Sequence, residues 1–147
     1  MSCEEVLDSA RMDAESPLYA TLRDHYLFSG LEQQDFDTLV TGVVTKSLDK
    51  GEVLFHQGDP ANNFYFLDSG LVELNLIAPS GEKKVLEVVS PGRTFAEAIT
   101  FMQEKKFPVT AEALAASSLA QIPIRAYIDL VYSNRDACMR LMSDVCR

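Results

Sequence analysis

The chain has 147 residues, 47% of them hydrophobic and 24% charged, which suits one globular domain with a single core. Its formal net charge of −9 excludes a duplex-binding module by itself, because such modules present a basic face that displaces counterions from phosphates. No apolar run reaches the roughly 18–20 residues that span a bilayer, and Glu4, Glu5 and Asp8 stand where a secretory signal needs a basic start. The expected location is the cytoplasm, with no membrane partner.

Residues 1–28 read as an N-terminal helical segment. Helix is expected over about residues 1–27, interrupted at Pro17, with Leu18, Leu22 and Tyr26 recurring at helical spacing. Ser29 and Glu32 have the spacing of a capping box. A second helix is therefore expected from Ser29, burying Leu31, Phe36, Leu39 and Val40 and ending near Gly42.

The texture then changes. Short runs rich in Val, Leu, Ile and Phe occur at Val43–Leu48, Glu52–His56, Asn63–Asp68, Leu71–Ile77, Lys83–Val89, Val109–Ala115 and Leu119–Ile122. Glycine-bearing turns divide the early ones: Asp49-Lys50-Gly51, Gly58-Asp59-Pro60, Ser69-Gly70, Pro79-Ser80-Gly81 and Ser90-Pro91-Gly92. Strands at this rhythm predict an antiparallel sandwich or barrel from Val43 to Ile124, which with the short helix before it makes a unit of residues 29–124. From residue 125 to 147 the pattern is helical again. Ile124, Tyr127, Ile128 and Val131 make one stripe, and Ser133–Asn134 offers a fresh N-cap. Asn134, Cys138, Leu141 and Val145, with Met142 beside them, follow the spacing of a helix-to-helix seam and are the candidate dimer interface.

Chemistry-bearing motifs are few. The sequence has no Gly-x-Ser-x-Gly elbow, Walker loop or His-Glu-x-x-His helix, so no enzyme is expected. Cys3, Cys138 and Cys146 form neither a disulfide framework nor a zinc cluster. His25 and His56 are the only histidines. Alternation with Phe55 sends His56 toward solvent.

The stretch Gly51-Glu-Val-Leu-Phe-His-Gln-Gly58, with Phe64-Tyr-Phe-Leu-Asp-Ser-Gly70 and Val72-Glu-Leu74, resembles the β-roll of the cyclic-nucleotide-binding family. It is similar in particular to the sensor half of CRP/FNR-type transcription regulators. The resemblance covers roughly residues 20 to 147 and places Gly51, Gly58 and Gly70 at the corners of the roll. It implies a mainly β fold with flanking helices: an antiparallel double-stranded β-roll, or jelly roll, with N-terminal helices and a C-terminal dimerisation helix. It also implies a homodimer, and DNA contact only through a helix-turn-helix domain that residues 1–147 do not contain.

In that family a Gly-Glu-Leu-type segment meets the cyclic phosphate and ribose, and an arginine followed by serine or threonine neutralises the phosphate. The matching segment here is Phe95-Ala96-Glu97-Ala98-Ile99, with Ala96 at the glycine position and Phe107 and Pro108 at the arginine and serine positions. Phe107 supplies no charge and Pro108 no N–H, so a buried phosphate is disfavoured. Phe95, Ala96, Glu97, Ala98, Phe107, Pro108, Val109 and Thr110 are the candidate effector pocket, with Phe101 as a further aromatic wall. The ligand expected there is apolar, or neutral overall, and flat.

The run Thr94-Phe-Ala-Glu-Ala-Ile-Thr-Phe-Met102 and the segment His25-Tyr-Leu-Phe28 are similar to the branch of regulators that governs nitrate respiration and nitric oxide detoxification. That resemblance implies haem as cofactor, nitric oxide as effector and His25 as the candidate iron ligand. Cys3 is the only N-terminal cysteine, which excludes the iron–sulfur cluster of fumarate–nitrate regulators. A cyclic-nucleotide-binding regulatory domain and a stand-alone β-roll acting on a partner protein are the competing readings.

Overall fold

A computed structural model describes residues 9–11, 17–133, 139, 142 and 143. In chain order these form β1 (Ser9–Arg11), α1 (Pro17–Asp24), α2 (Tyr26–Ser29), α3 (Gln33–Val40), β2 (Val44–Leu48), β3 (Val53–Phe55), β4 (Asn63–Ser69), β5 (Val72–Ile77), β6 (Lys83–Val89), β7 (Thr94–Phe95), a 3₁₀ helix (Glu97–Phe101), β8 (Thr110–Ala113), β9 (Ser117–Pro123) and α4 (Ile124–Ser133). The strands make two sheets, ordered β1-β2-β9-β4-β7 and β3-β8-β5-β6. Every pairing is antiparallel. This is the expected mainly β roll with flanking helices.

β4 lies inside the first sheet, between β9 and β7, and is buried on both faces. Phe64 and Phe66 turn outward to the helices. Phe64 lies 6.2 Å from Phe28 and 5.3 Å from Tyr127, ring centre to ring centre. Tyr65 turns inward, 5.7 Å from Phe55 and 5.4 Å from Phe95. A strand covered on both sides reads as a continuous apolar run rather than an alternation, which explains Phe64-Tyr-Phe-Leu67. On the outer side the Tyr127 hydroxyl donates to the Leu27 carbonyl at 2.6 Å, joining α4 to α2 deep in the core. Ile124, Tyr127 and Val131 are buried, as their spacing predicted.

The N-terminal helical expectation needs correction. Ser9–Arg11 is not helical but pairs with β2, Ser9 opposite Lys46 and Arg11 opposite Val44. Its three residues carry no β-branched signal, and the pairing comes from the free edge of β2. The first described helix runs from Pro17 to Asp24, and the expected interruption at Pro17 involves residues 12–16, which lie outside the described residues. The capping box is also absent. Ser29 ends α2, and the next helix starts at Gln33 with Glu32 as an N-cap that makes no side-chain cap bond. The competing cap is His25, whose ring accepts from Leu27 N–H and so starts α2 early enough to absorb Ser29. Thr94–Phe95 was not anticipated, two residues being too few to show a period.

The corners of the roll behave as the turns demand. At Gly70 φ is +95°, and a Cβ there would stand 2.1 Å from Ser117 Oγ and 2.6 Å from the Ala116 carbonyl oxygen. At Gly51 φ is +87° with open space around it. The two positions therefore separate backbone strain from collision. Gly51→Ala is expected to cost about 1 kcal/mol, the left-handed penalty alone, and Gly70→Ala about 3 kcal/mol or more, read from urea denaturation midpoints.

Candidate functional site

A cavity of about 350 Å³ lies between the two sheets, at the segment predicted to form the effector pocket. Phe55, Leu74, Phe95, Ile99, Phe107 and Val109 give it an apolar lining, and Leu86 and Met102, both about half exposed, line its open side. Seven of the predicted pocket residues line it together: Phe95, Ala96, Glu97, Ala98, Phe107, Pro108 and Val109. Thr110 does not. It pairs with Asn75 in the second sheet, and its hydroxyl accepts from Gln57 N–H at 2.9 Å. The Phe101 side chain lies outside the described residues.

Phe107 is only 4% exposed. Its ring stacks on Phe55 with centres 3.6 Å apart and planes 9° from parallel. The position where the family resemblance calls for a phosphate-neutralising arginine is thus filled by core. Ala96, at the glycine position, keeps a left-handed backbone with φ +64°, the single positive-φ residue other than glycine among the described residues. The backbone has the shape of a glycine turn, with an alanine in it.

Three charged side chains line the cavity: Glu87, Arg93 and Glu97. Arg93 pairs with Glu87 at 3.1 Å, both about half exposed, so the pair adds little stability. Burial holds the Glu97 carboxyl above its usual range, with Glu87 adding to the rise and Arg93 opposing it. Neither nearby lysine helps an anion. Lys105 Nζ donates to the carbonyls of Ile99, Thr100 and Met102 at 2.9, 2.7 and 2.5 Å, closing the 3₁₀ helix. Lys106 pairs with Glu104 at 3.1 Å. Among the described residues, a cyclic phosphate would therefore meet two carboxylates against the one guanidinium of Arg93.

Sequence reasoning missed several walls. Phe55 and Leu74 read as ordinary core, which they also are. Leu86 reaches the cavity because β6 bulges there: Leu74 faces Glu87 while Asn75 faces Val85, leaving Leu86 without a partner. The broken alternation of Val85-Leu-Glu-Val-Val89 is the trace of that bulge. Arg93 carried no signal, since its role depends on a contact across a turn.

His25 is elsewhere. Its ring packs against Tyr26, Phe28 and Phe66 at 4.6, 5.9 and 5.8 Å, on the outer face of β4, whereas the cavity lies on the inner face with Tyr65. Its Nδ1 accepts from Leu27 N–H at 3.2 Å, so in the neutral ring Nε2 carries the proton. Binding iron through Nε2 would move that proton to Nδ1 and set donor against donor at the cap. The residues as placed do not form a haem site that joins His25 to the cavity. His56 is exposed, beside Asp59. Of the dimer candidates, Asn134, Cys138, Leu141 and Val145 lie outside the described residues, and Met142 is exposed. Among the described residues no group of three or more His, Cys, Asp or Glu could hold a metal ion, and no helix is long and apolar enough to cross a membrane.

The profile of the family described as "Cyclic nucleotide-binding domain" matches residues 45–134, and the chain belongs to that family. It is similar to the sensor domain of the transcriptional regulator DNR from Pseudomonas aeruginosa, at 34% identity over 86% of this chain and 85% of that one, with a TM-score of 0.81. The longer DNR structure superposes with a TM-score of 0.85 at 33% identity, over 91% of this chain and 59% of that one. The Anaerobic regulatory protein of Pasteurella multocida is 34% identical over 119 residues, 78% of this chain and 42% of the relative. The chain thus spans less than half the length of that curated relative.

Two expectations follow from this geometry. Ala96→Gly should stabilise the chain by about 0.5–1 kcal/mol, because relief of the left-handed penalty exceeds the added freedom of the unfolded state; thermal or urea melts check it. The His25 side chain titrates below its ordinary value because burial disfavours the imidazolium. Its contribution to stability is therefore complete above the unfolded-state pKa of about 6.5 and is lost as pH falls through the lower folded value. His25→Asn, which keeps a capping acceptor without titrating, should flatten that acid-side loss in melts taken from pH 7 to pH 5.

Proposed function

We propose that this chain is the effector-sensing domain of a cytoplasmic CRP/FNR-type transcription regulator, reading a small, phosphate-free and largely apolar effector in the cavity between its sheets. The observation that carries this reading is Phe107, buried and stacked on Phe55 where the family would hold a phosphate. The likeness to the sensor domain of a transcriptional regulator supports the regulatory role. In this proposal the chain neither catalyses nor touches DNA; a DNA-binding domain elsewhere in the parent protein does the latter, and the unit works as a homodimer through the segment after α4.

The signal path runs through the 3₁₀ helix. Ile99 in the 3₁₀ helix lines the cavity, and the helix packs on α4. Lys105 holds the carbonyl end of that helix and also lines a groove with Ile124 and Ile128 of α4. An effector that favours one placement of the 3₁₀ helix thereby favours one placement of α4, and only that difference in affinity shifts the equilibrium.

Calorimetry with cyclic AMP and cyclic GMP, and absorbance during hemin titration, test the reading. The expected outcome is no micromolar nucleotide binding and no Soret shift that depends on His25. Micromolar binding of either nucleotide overturns the phosphate-free assignment. A Soret shift abolished in His25→Ala would establish the haem alternative, and nitric oxide with it as the candidate effector, in place of this proposal.

A further inference from the structure

The cavity has a charge preference as well as an apolar wall. Its charged lining is Glu87, Arg93 and Glu97, two carboxylates against one guanidinium. Arg93 pairs with Glu87 at 3.1 Å. Glu97 has no ion-pair partner among the described residues. The two lysines nearest in sequence are spoken for, one on carbonyl oxygens and one on Glu104. Phe55, Phe95 and Phe107 supply an apolar body beside the unpaired carboxylate of Glu97.

Resting on the effector-cavity reading above, we propose that the cavity selects a small apolar molecule that bears a protonated amine, the ammonium seated against Glu97. A partly desolvated carboxylate gains most from a partner of full opposite charge, and hydrogen bonds between charged groups are worth more than neutral ones. An anionic ligand meets net repulsion at the same place. A divalent cation is not the fit, because one free carboxylate falls short of the oxygen set that such ions require. The volume of about 350 Å³ suits a molecule with one ring or a short branched chain. This departs from the sequence-based expectation of a ligand neutral overall: the walls accept such a body, but the charge pattern asks for a cation at one end.

The facing groups fix the pH dependence. Glu87 on β6 and Arg93 on the turn before β7 are the charged groups acting on Glu97. Binding of an amine should weaken as pH falls and Glu97 takes up a proton, a loss that begins at higher pH than for an exposed glutamate.

Three probes of similar shape test the proposal on the 147-residue chain: phenethylamine, 2-phenylethanol and phenylacetate, followed through the methyl resonances of Leu86, Ile99 and Met102. The amine should bind at least about tenfold more tightly than the alcohol, a difference near 1.4 kcal/mol, and phenylacetate most weakly. Glu97→Gln should reduce the amine to the level of the alcohol. Arg93→Gln, which leaves Glu97 and Glu87 without their competing cation, should raise amine affinity, and circular dichroism of both variants confirms that they fold. An alcohol that binds as well as the amine, phenylacetate binding tightest, or a preference for amine that persists in Glu97→Gln overturns the amine assignment and leaves the effector cavity standing. If none of the three probes shifts the cavity methyls, both assignments fall together.

Discussion

Everything in this domain is arranged around a strand that must be covered twice. β4 carries aromatic side chains on both faces, and burying them requires the helices on one side and the second sheet on the other. Because apolar burial is the dominant favourable term in folding, neither layer can be removed without exposing large rings. The strand also acts as a partition. Phe66 and His25 belong to the helical side, Tyr65, Phe55 and Phe95 to the side of the cavity.

That partition decides how the candidate residues relate. His25 and the Phe95–Phe107 segment were both drawn from likeness to a regulator family, yet they occupy different compartments. His25 has an occupation of its own as the cap of α2. The cavity has its own electrostatics, set by Glu87, Arg93 and Glu97. A ligand in one compartment does not touch the other, and chemistry proposed for either has to be complete on its side of β4.

The framework was legible in the sequence because its causes are local. Glycine turns with positive φ, the apolar run of β4, the Lys83–Val89 strand and the α4 stripe each follow from a few adjacent residues. Part of the cavity lining was legible too, through the matched segment from Phe95 to Ala98 and that from Phe107 to Val109. What stayed hidden was non-local. The Ser29 cap lost to His25 through a contest between two possible helix starts. Leu86 reached the cavity through a bulge whose position depends on pairing with β5. The charge of the cavity emerged only when Glu87, Arg93 and Glu97 met in space, and Ser9–Arg11 became a strand because β2 offered it an edge.

The stack of Phe107 on Phe55 also bears on the history open to this chain. Placing a cation at position 107 would empty one side of that stack and bury a guanidinium before any phosphate arrived to compensate it, a loss of several kcal/mol. A domain of marginal stability, about 5–15 kcal/mol in total, has little room for that intermediate. The stack therefore works as a ratchet. Side chains at the mouth of the cavity can change without touching it, while a charge at position 107 is refused by the core itself.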